Sequence, residues 1–136
     1  MQEIRFTIDV SPRSKKNSQQ ILTNRKTGRP FIMPSAAYKA YQKAALMLIP
    51  AEARQHIDRP VNVKATFYMP TRRACDIANL NSALHDILVD AGVIVDDNRD
   101  IVAGTDGSRV LYSKDHPRTE VIIEEMRGDY ETWAKK

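Results

Sequence analysis

A chain of 136 residues, 42% apolar and 28% charged, has the size and composition of one ordinary globular domain, which excludes a disordered or fibrous protein. Its single cysteine, Cys75, excludes an intrachain disulfide and a cysteine-based zinc site, and no window approaches the ~18 to 20 apolar residues of a membrane span. The net charge of +4 is unevenly spread: residues 1–75 hold 14 Lys/Arg against 4 Asp/Glu, or +10, and residues 76–136 hold 7 against 13, or −6.

Ile4, Phe6, Ile8 and Val10 alternate with polar neighbours, the period-two pattern that predicts a strand with one buried face over 3–10. A polar loop punctuated by Pro12 follows, running through Arg13, Ser14, Lys15, Lys16, Asn17 and Ser18. Residues 23–30 form a turn between short apolar runs at 20–22 and 31–33, which predicts a small hairpin. Ser35 is placed to cap a helix over 35–49, where Tyr38, Tyr41, Ala45, Leu46 and Leu48 recur at helical spacing until Pro50 stops it.

Val61, Val63, Ala65 and Phe67 alternate with Asn62, Lys64, Thr66 and Tyr68, predicting a second strand that ends at Met69-Pro70. After the basic turn Thr71-Arg72-Arg73, Asp76 and Asn79 stand at the entrance of a second helix. Its apolar stripe is Leu80, Leu84, Ile87, Leu88 and Ala91, and Gly92 ends it. Val93-Ile94-Val95 is a short buried run leading into Asp96-Asp97-Asn98, and strands are predicted over 108–113 and 118–125 around the turn at 114–117. This order predicts an α+β fold, a mixed or antiparallel sheet with two main helices on one face. A single domain is expected over 1–127 and a polar tail over 128–136, relieved only by Tyr130 and Trp133. The N-terminus lacks a basic segment followed by an apolar one, so a cytoplasmic protein is expected.

Two aspartate clusters are candidates for chemistry. Asp76 and Asn79 suit helix capping when read alone, and Asp96-Asp97-Asn98 suits a surface turn. Their spacing adds another reading. The helix over 78–91 climbs about 20 Å at ~1.5 Å per residue, and an extended return at ~3.3 Å per residue is long enough to bring Asp97 back beside Asp76. Carboxylates so placed repel one another unless a cation sits between them, and Mg²⁺ takes oxygen ligands. Clustered cations in the first half suggest phosphate contacts without sequence readout, although the two halves can equally interleave and solvate opposite faces.

The order of Ser14-Lys15-Lys16-Asn17-Ser18, Met69-Pro70-x-Arg72-Arg73, Asp76-x-x-Asn79-Leu80, Asp86-Ile87-Leu88, and Ala91-Gly92-Val93-Ile94 running into Asp96-Asp97 resembles the RusA family of Holliday junction resolvases, particularly the versions carried by Gram-positive phages and prophages. The resemblance covers most of the chain. It implies a homodimer that nicks four-way DNA junctions in paired, symmetric fashion with Mg²⁺, for which Mn²⁺ substitutes. It implies catalytic aspartates at Asp76 and Asp97 with Asp96 beside them, a metal set drawn from Asp76, Asp96, Asp97 and Asp100, and DNA contacts at Lys15, Lys16, Arg72, Arg73, Asn79 and Ser82. Two positions depart from the family pattern: Ala78 stands where an aspartate is usual, and Ser82 where a lysine is usual. A weaker metal site, completion of the site by Asp96, Asp100 or Asp106, and binding of junctions without cutting are the three consequences open to such a chain.

Other residues are less telling. His85 lies off the apolar stripe without a second suitably spaced histidine, and a surface position is expected. Cys75 adjoins Asp76 but has no evident activating base. An RNA-directed protein is disfavoured because the stacking-aromatic motifs of common RNA modules are missing. Neither a membrane partner nor a small-molecule cofactor is expected.

Overall fold

The computed structural model describes residues 1–15 and 19–126, with the backbone alone at 19–21 and 31–34. Lys16, and the tail with Tyr130 and Trp133, lie outside these residues. The strands are β1 (Ile4–Ile8), β2 (Gln19–Thr23), β3 (Pro30–Pro34), β4 (Val61–Met69), β5 (Val102–Gly104), β6 (Arg109–Tyr112) and β7 (Arg118–Glu125). The helices are α1 (Ala36–Leu48) and α2 (Ile77–Asp90), with a 3-10 turn at Ala51–Ala53.

The main sheet is mixed, as expected. β7 lies between β1 and β4 and is antiparallel to both, while β5 and β6 run parallel to β4 along its other edge. Register puts the apolar sets in line: Ile4 and Val63 both oppose Ile123, Phe6 and Ala65 oppose Val121, and Ile8 and Phe67 oppose Thr119. All of these are buried, so alternation along each strand becomes one apolar face. Lys64, Thr66 and Tyr68 alternate to the other face and keep part of their surface exposed.

Both helices cover the apolar face. Tyr38, Tyr41 and Ala45 of α1 join Leu80, Ala83, Leu84, Ile87 and Leu88 of α2 in a single core with the strands. Burying side chains such as Phe67, Leu84 and Ile87 contributes about 1.5–3 kcal/mol each. Leu48, predicted on the helical stripe, instead lies 43% exposed, because α1 ends there and the chain turns at Ile49. Arg54 closes that end, donating to the carbonyls of Leu46 and Ile49.

The connection that positions the site leaves the end of β4, enters α2 at Asp76, and returns through Gly92 toward β5. Gly92 has φ +75°, and an added Cβ would lie 2.7 Å from His56 Cε1, so both backbone and space demand glycine. The predicted apolar run 93–95 is no full strand. Ile94 forms one parallel bridge to Ile57 with its side chain buried, but Val95 is 47% exposed as the chain swings into the Asp96 turn. β5 was not predicted from sequence. It is three residues of partly buried backbone pairing with the start of β4.

Candidate active site

Asp76 is the N-cap of α2, and its Oδ1 accepts the Ala78 N–H at 2.9 Å. Capping does not bury the carboxylate, because the side chain is exposed and stands at the positive end of the helix dipole. Just before it, Arg13, Ser14, Thr71, Arg73 and Cys75 line a cleft of about 570 Å³ that reaches Leu80. Cys75 itself packs half-buried against the core. Arg72 points its guanidinium over the Tyr112 ring, 4.3 Å from the centroid, tying this basic turn to β6.

At the far end of α2 the Asp96 turn is fixed by its own side chains. Asp96 Oδ1 accepts the Asp97 N–H at 2.7 Å, and its Oδ2 accepts from Asn98 Nδ2 at 3.1 Å. Asn98 Oδ1 accepts the Asp100 N–H at 2.9 Å, and Asn98 O receives the amides of Ile101 and Val102. Asp96 therefore uses both carboxylate oxygens to hold the turn, and Asp97 is the side chain that the turn presents.

Asp97 meets Asp86. Their side chains are within hydrogen-bond reach, and both line a cleft of about 310 Å³ with Lys15, Gln42, Val89 and Asp90. Burial, followed by the nearby charges of Asp97 and Asp90 and the shared hydrogen bond, pushes the Asp86 carboxyl above its ordinary value. Lys15 opposes the rise, its Nζ standing 4.0 Å from Asp86 Oδ2. Lys15 is thus tied to the carboxylates. The same ammonium lies 6.0 Å from the ring centroid of Tyr38, a buried residue whose hydroxyl has no hydrogen-bond partner among the described residues. Burial, with Asp86 and Asp90, raises the Tyr38 pKa.

The return from Gly92 is shorter in effect than sequence spacing suggested. After the Ile94 bridge the chain turns aside through 96–100, so the carboxylate recorded beside Asp97 is Asp86 rather than Asp76. Asp76 and Asp86 are separated by about 15 Å of helix at 1.5 Å per residue. Asn79, Ser82 and Asp86 recur at three- and four-residue intervals, which places them along one side of α2 between the two aspartate stations. Asp100 is exposed in the turn, and Asp106 is held elsewhere: buried Asn62 accepts its N–H and donates to its carbonyl, at 2.7 and 3.1 Å, on the sheet face opposite the helices. Among the described residues, no three His, Cys, Asp or Glu side chains gather as a metal-ligand set.

His85 departs from the surface position expected of it. It is half-buried, its Nε2 has no hydrogen-bond partner among the described residues, and burial lowers its pKa against the opposing field of Asp97. Sequence reasoning also passed over Asp86 as a functional group. The available signal was its position seven residues after Asn79, on the same side of the helix.

No helix among the described residues is long and apolar enough to cross a membrane. No curated protein matches the chain. A family model described as Endodeoxyribonuclease RusA matches residues 8–124 of the 136, a span that includes Lys15, Asp76, Asp86 and Asp97. The chain therefore belongs to the RusA family of endodeoxyribonucleases, metal-dependent enzymes that hydrolyse DNA phosphodiester bonds and resolve Holliday junctions.

Proposed function

We propose that this chain resolves four-way DNA junctions as a homodimer, by paired symmetric nicking that depends on Mg²⁺, with Asp86 and Asp97 as the carboxylates that hold the ion. The observation that carries this reading is the pair itself: two aspartates within hydrogen-bond reach in a cleft, one with its proton affinity raised by burial and, secondarily, by the charge of the other. The donor set fits, because Mg²⁺ binds through one or two carboxylates, keeping waters and substrate phosphate as its remaining ligands. A divalent ion bound there supplies Lewis-acid charge opposite the scissile phosphate.

The chain's own residues do the rest. Asp96 aims Asp97 by holding the turn, and Lys15 moves from its contact with Asp86 to a phosphate oxygen when the carboxylates take a cation. Asp76 faces the DNA from the N-terminus of α2, with Asn79 and Ser82 between it and the cleft. Arg72 and Arg73 hold backbone phosphates beside Asp76. Two such sites related by a dimer two-fold suit opposed nicks in a symmetric junction.

The test is nicking of a synthetic four-way junction with and without Mg²⁺. Asp97→Asn and Asp86→Asn are each expected to abolish product, and cutting that survives both sinks the assignment. Ala78, together with the lack of a three-ligand set among the described residues, favours a second reading, a junction-binding protein without hydrolysis. Tight binding without product in Mg²⁺ or Mn²⁺, and cutting gained by Ala78→Asp, support that reading.

A further inference from the structure

Residues 10–51 carry eight Lys/Arg and no Asp or Glu. Three of these cations, Arg25, Lys26 and Arg29, gather at the tip of the β2–β3 hairpin, a two-stranded sheet that pairs with no strand of the main one. The tip has a defined shape. Asn24 Oδ1 accepts the amides of Lys26 and Thr27 at 2.9 and 3.3 Å, and the Asn24 N–H donates to Arg29 O at 2.9 Å. Gly28 supplies the left-handed residue at φ +69°, and every residue from Leu22 to Pro30 is exposed.

Several cations elsewhere have work within the fold. Arg54 caps α1, Arg118 lies 3.8 Å over the Tyr68 ring and bonds Glu120, Arg72 covers Tyr112, and Lys15 pairs with Asp86. Among the described residues, Arg25, Lys26 and Arg29 have no ion pair, side-chain hydrogen bond or ring contact. Three like charges on one small tip, without a counter-ion, weaken the free protein by repulsion and suit a polyanion. The residues nearest in sequence to the hairpin that the cleft engages are four positions away on either side. Lys15, before it, contacts Asp86, and Tyr38, after it, lies beneath the same ammonium.

We propose that the hairpin is a phosphate-gripping arm, in which Arg25, Lys26 and Arg29 bind the DNA backbone a few nucleotides from the cut. This rests on the nuclease reading and adds how the substrate is held. Strands of five residues at ~3.4 Å each reach about 17 Å. Phosphates along one DNA strand are spaced about 3.4 Å apart along the helix axis, so the arm spans at most about five nucleotides. With no aromatic residue between Thr23 and Pro30, the tip offers bases no ring to stack on.

The test is the salt dependence of binding to a synthetic four-way junction, measured with the full chain and Ca²⁺ in place of Mg²⁺. At about 0.9 units per phosphate contact, R25A/K26A/R29A is expected to flatten the slope of log K against log salt by about 2 to 3 units. The charge-conserving R25K/R29K keeps the wild-type slope. A second readout uses the wild-type protein alone: neutral methylphosphonates placed within about five nucleotides of the cut weaken its binding and flatten its slope. An unchanged slope in the triple variant, or indifference to methylphosphonates across that span, overturns the arm. Nicking by the wild-type chain in Mg²⁺ is scored separately; its absence overturns the nuclease reading, whereas the slope decides the arm.

Discussion

Asp86, on α2, and Asp97, in the turn beyond that helix, face one another within hydrogen-bond reach, and burial together with the Asp97 charge raises the cost of charging Asp86. A protein gains nothing in stability from such a pair unless a cation or a proton joins it. The nearest cation among the described residues, Lys15 at 4.0 Å, is half-exposed and leaves the Asp86 carboxyl still raised.

Removing one member separates the ion's role from the DNA's. Asp86→Asn is expected to lower single-turnover nicking of a four-way junction by more than about 100-fold, beyond the ~10- to 100-fold typical of residues that merely support a metal ligand. Junction affinity measured without divalent ions should stay equal or increase, because a negative charge facing the phosphates is gone. Nicking reduced only in proportion to binding would assign Asp86 to substrate contact instead.

The metal-free protein should also register this repulsion as stability. The Asp86 pKa in the folded state is raised above its ordinary 3.8, so the folded state binds the proton more tightly than the unfolded chain. Stability therefore falls as pH rises from about 3.8 through the folded pKa, and stays lowered above it. Asp86→Asn is expected to raise Tm at pH 7 in a chelator, with the gain shrinking as pH falls through that window. A gain that is constant from pH 3 to pH 8 would remove ionisation of Asp86 as its cause.

The capping role of Asp76 is separable from a role in the reaction. Its N-cap bond to Ala78 is lost in Asp76→Ala, which should destabilise the fold by about 1 kcal/mol, whereas Asp76→Asn keeps a capping oxygen and should cost only a few tenths. If Asp76 also serves the reaction, both variants lose nicking alike despite their different Tm values. Full activity in Asp76→Asn would leave it a structural cap.

Gly92→Ala tests the turn that sends the chain back toward Asp97. The left-handed backbone alone costs about 1–2 kcal/mol for a residue with a Cβ, and the contact with His56 adds to it. Thermal denaturation should show recovery of the contact portion, but not the backbone portion, in Gly92→Ala with His56→Ala. Equal destabilisation of the single and double variants would remove His56 from the account.

Most of the scaffold was legible because its burial is periodic. Ile4, Phe6 and Ile8, Val61 to Phe67, and Leu80 to Leu88 each carry one apolar face at the spacing of their element, and the structure buries each of those faces. β5 escaped because Val102–Gly104 is too short for a period and pairs through its backbone. Leu48 and Val95 misled because apolar character does not reveal where a chain turns away from the core. At the site, Asp76 and Asp97 stood out as polar residues at element boundaries, whereas Asp86 lies on the polar side of a helix, where a carboxylate normally serves solvation. Beyond its spacing from Asn79, what distinguishes it is the course of the return segment, which depends on the Ile57–Ile94 bridge between segments distant in sequence.

The most direct measurement is anomalous diffraction from crystals soaked in Mn²⁺. The account predicts an ion bonded to carboxylate oxygens of both Asp86 and Asp97, at the roughly 2.0–2.2 Å of oxygen ligands to a small hard divalent cation. An ion held at Asp76 without either of them, or no ion in the cleft at saturating Mn²⁺, would contradict it.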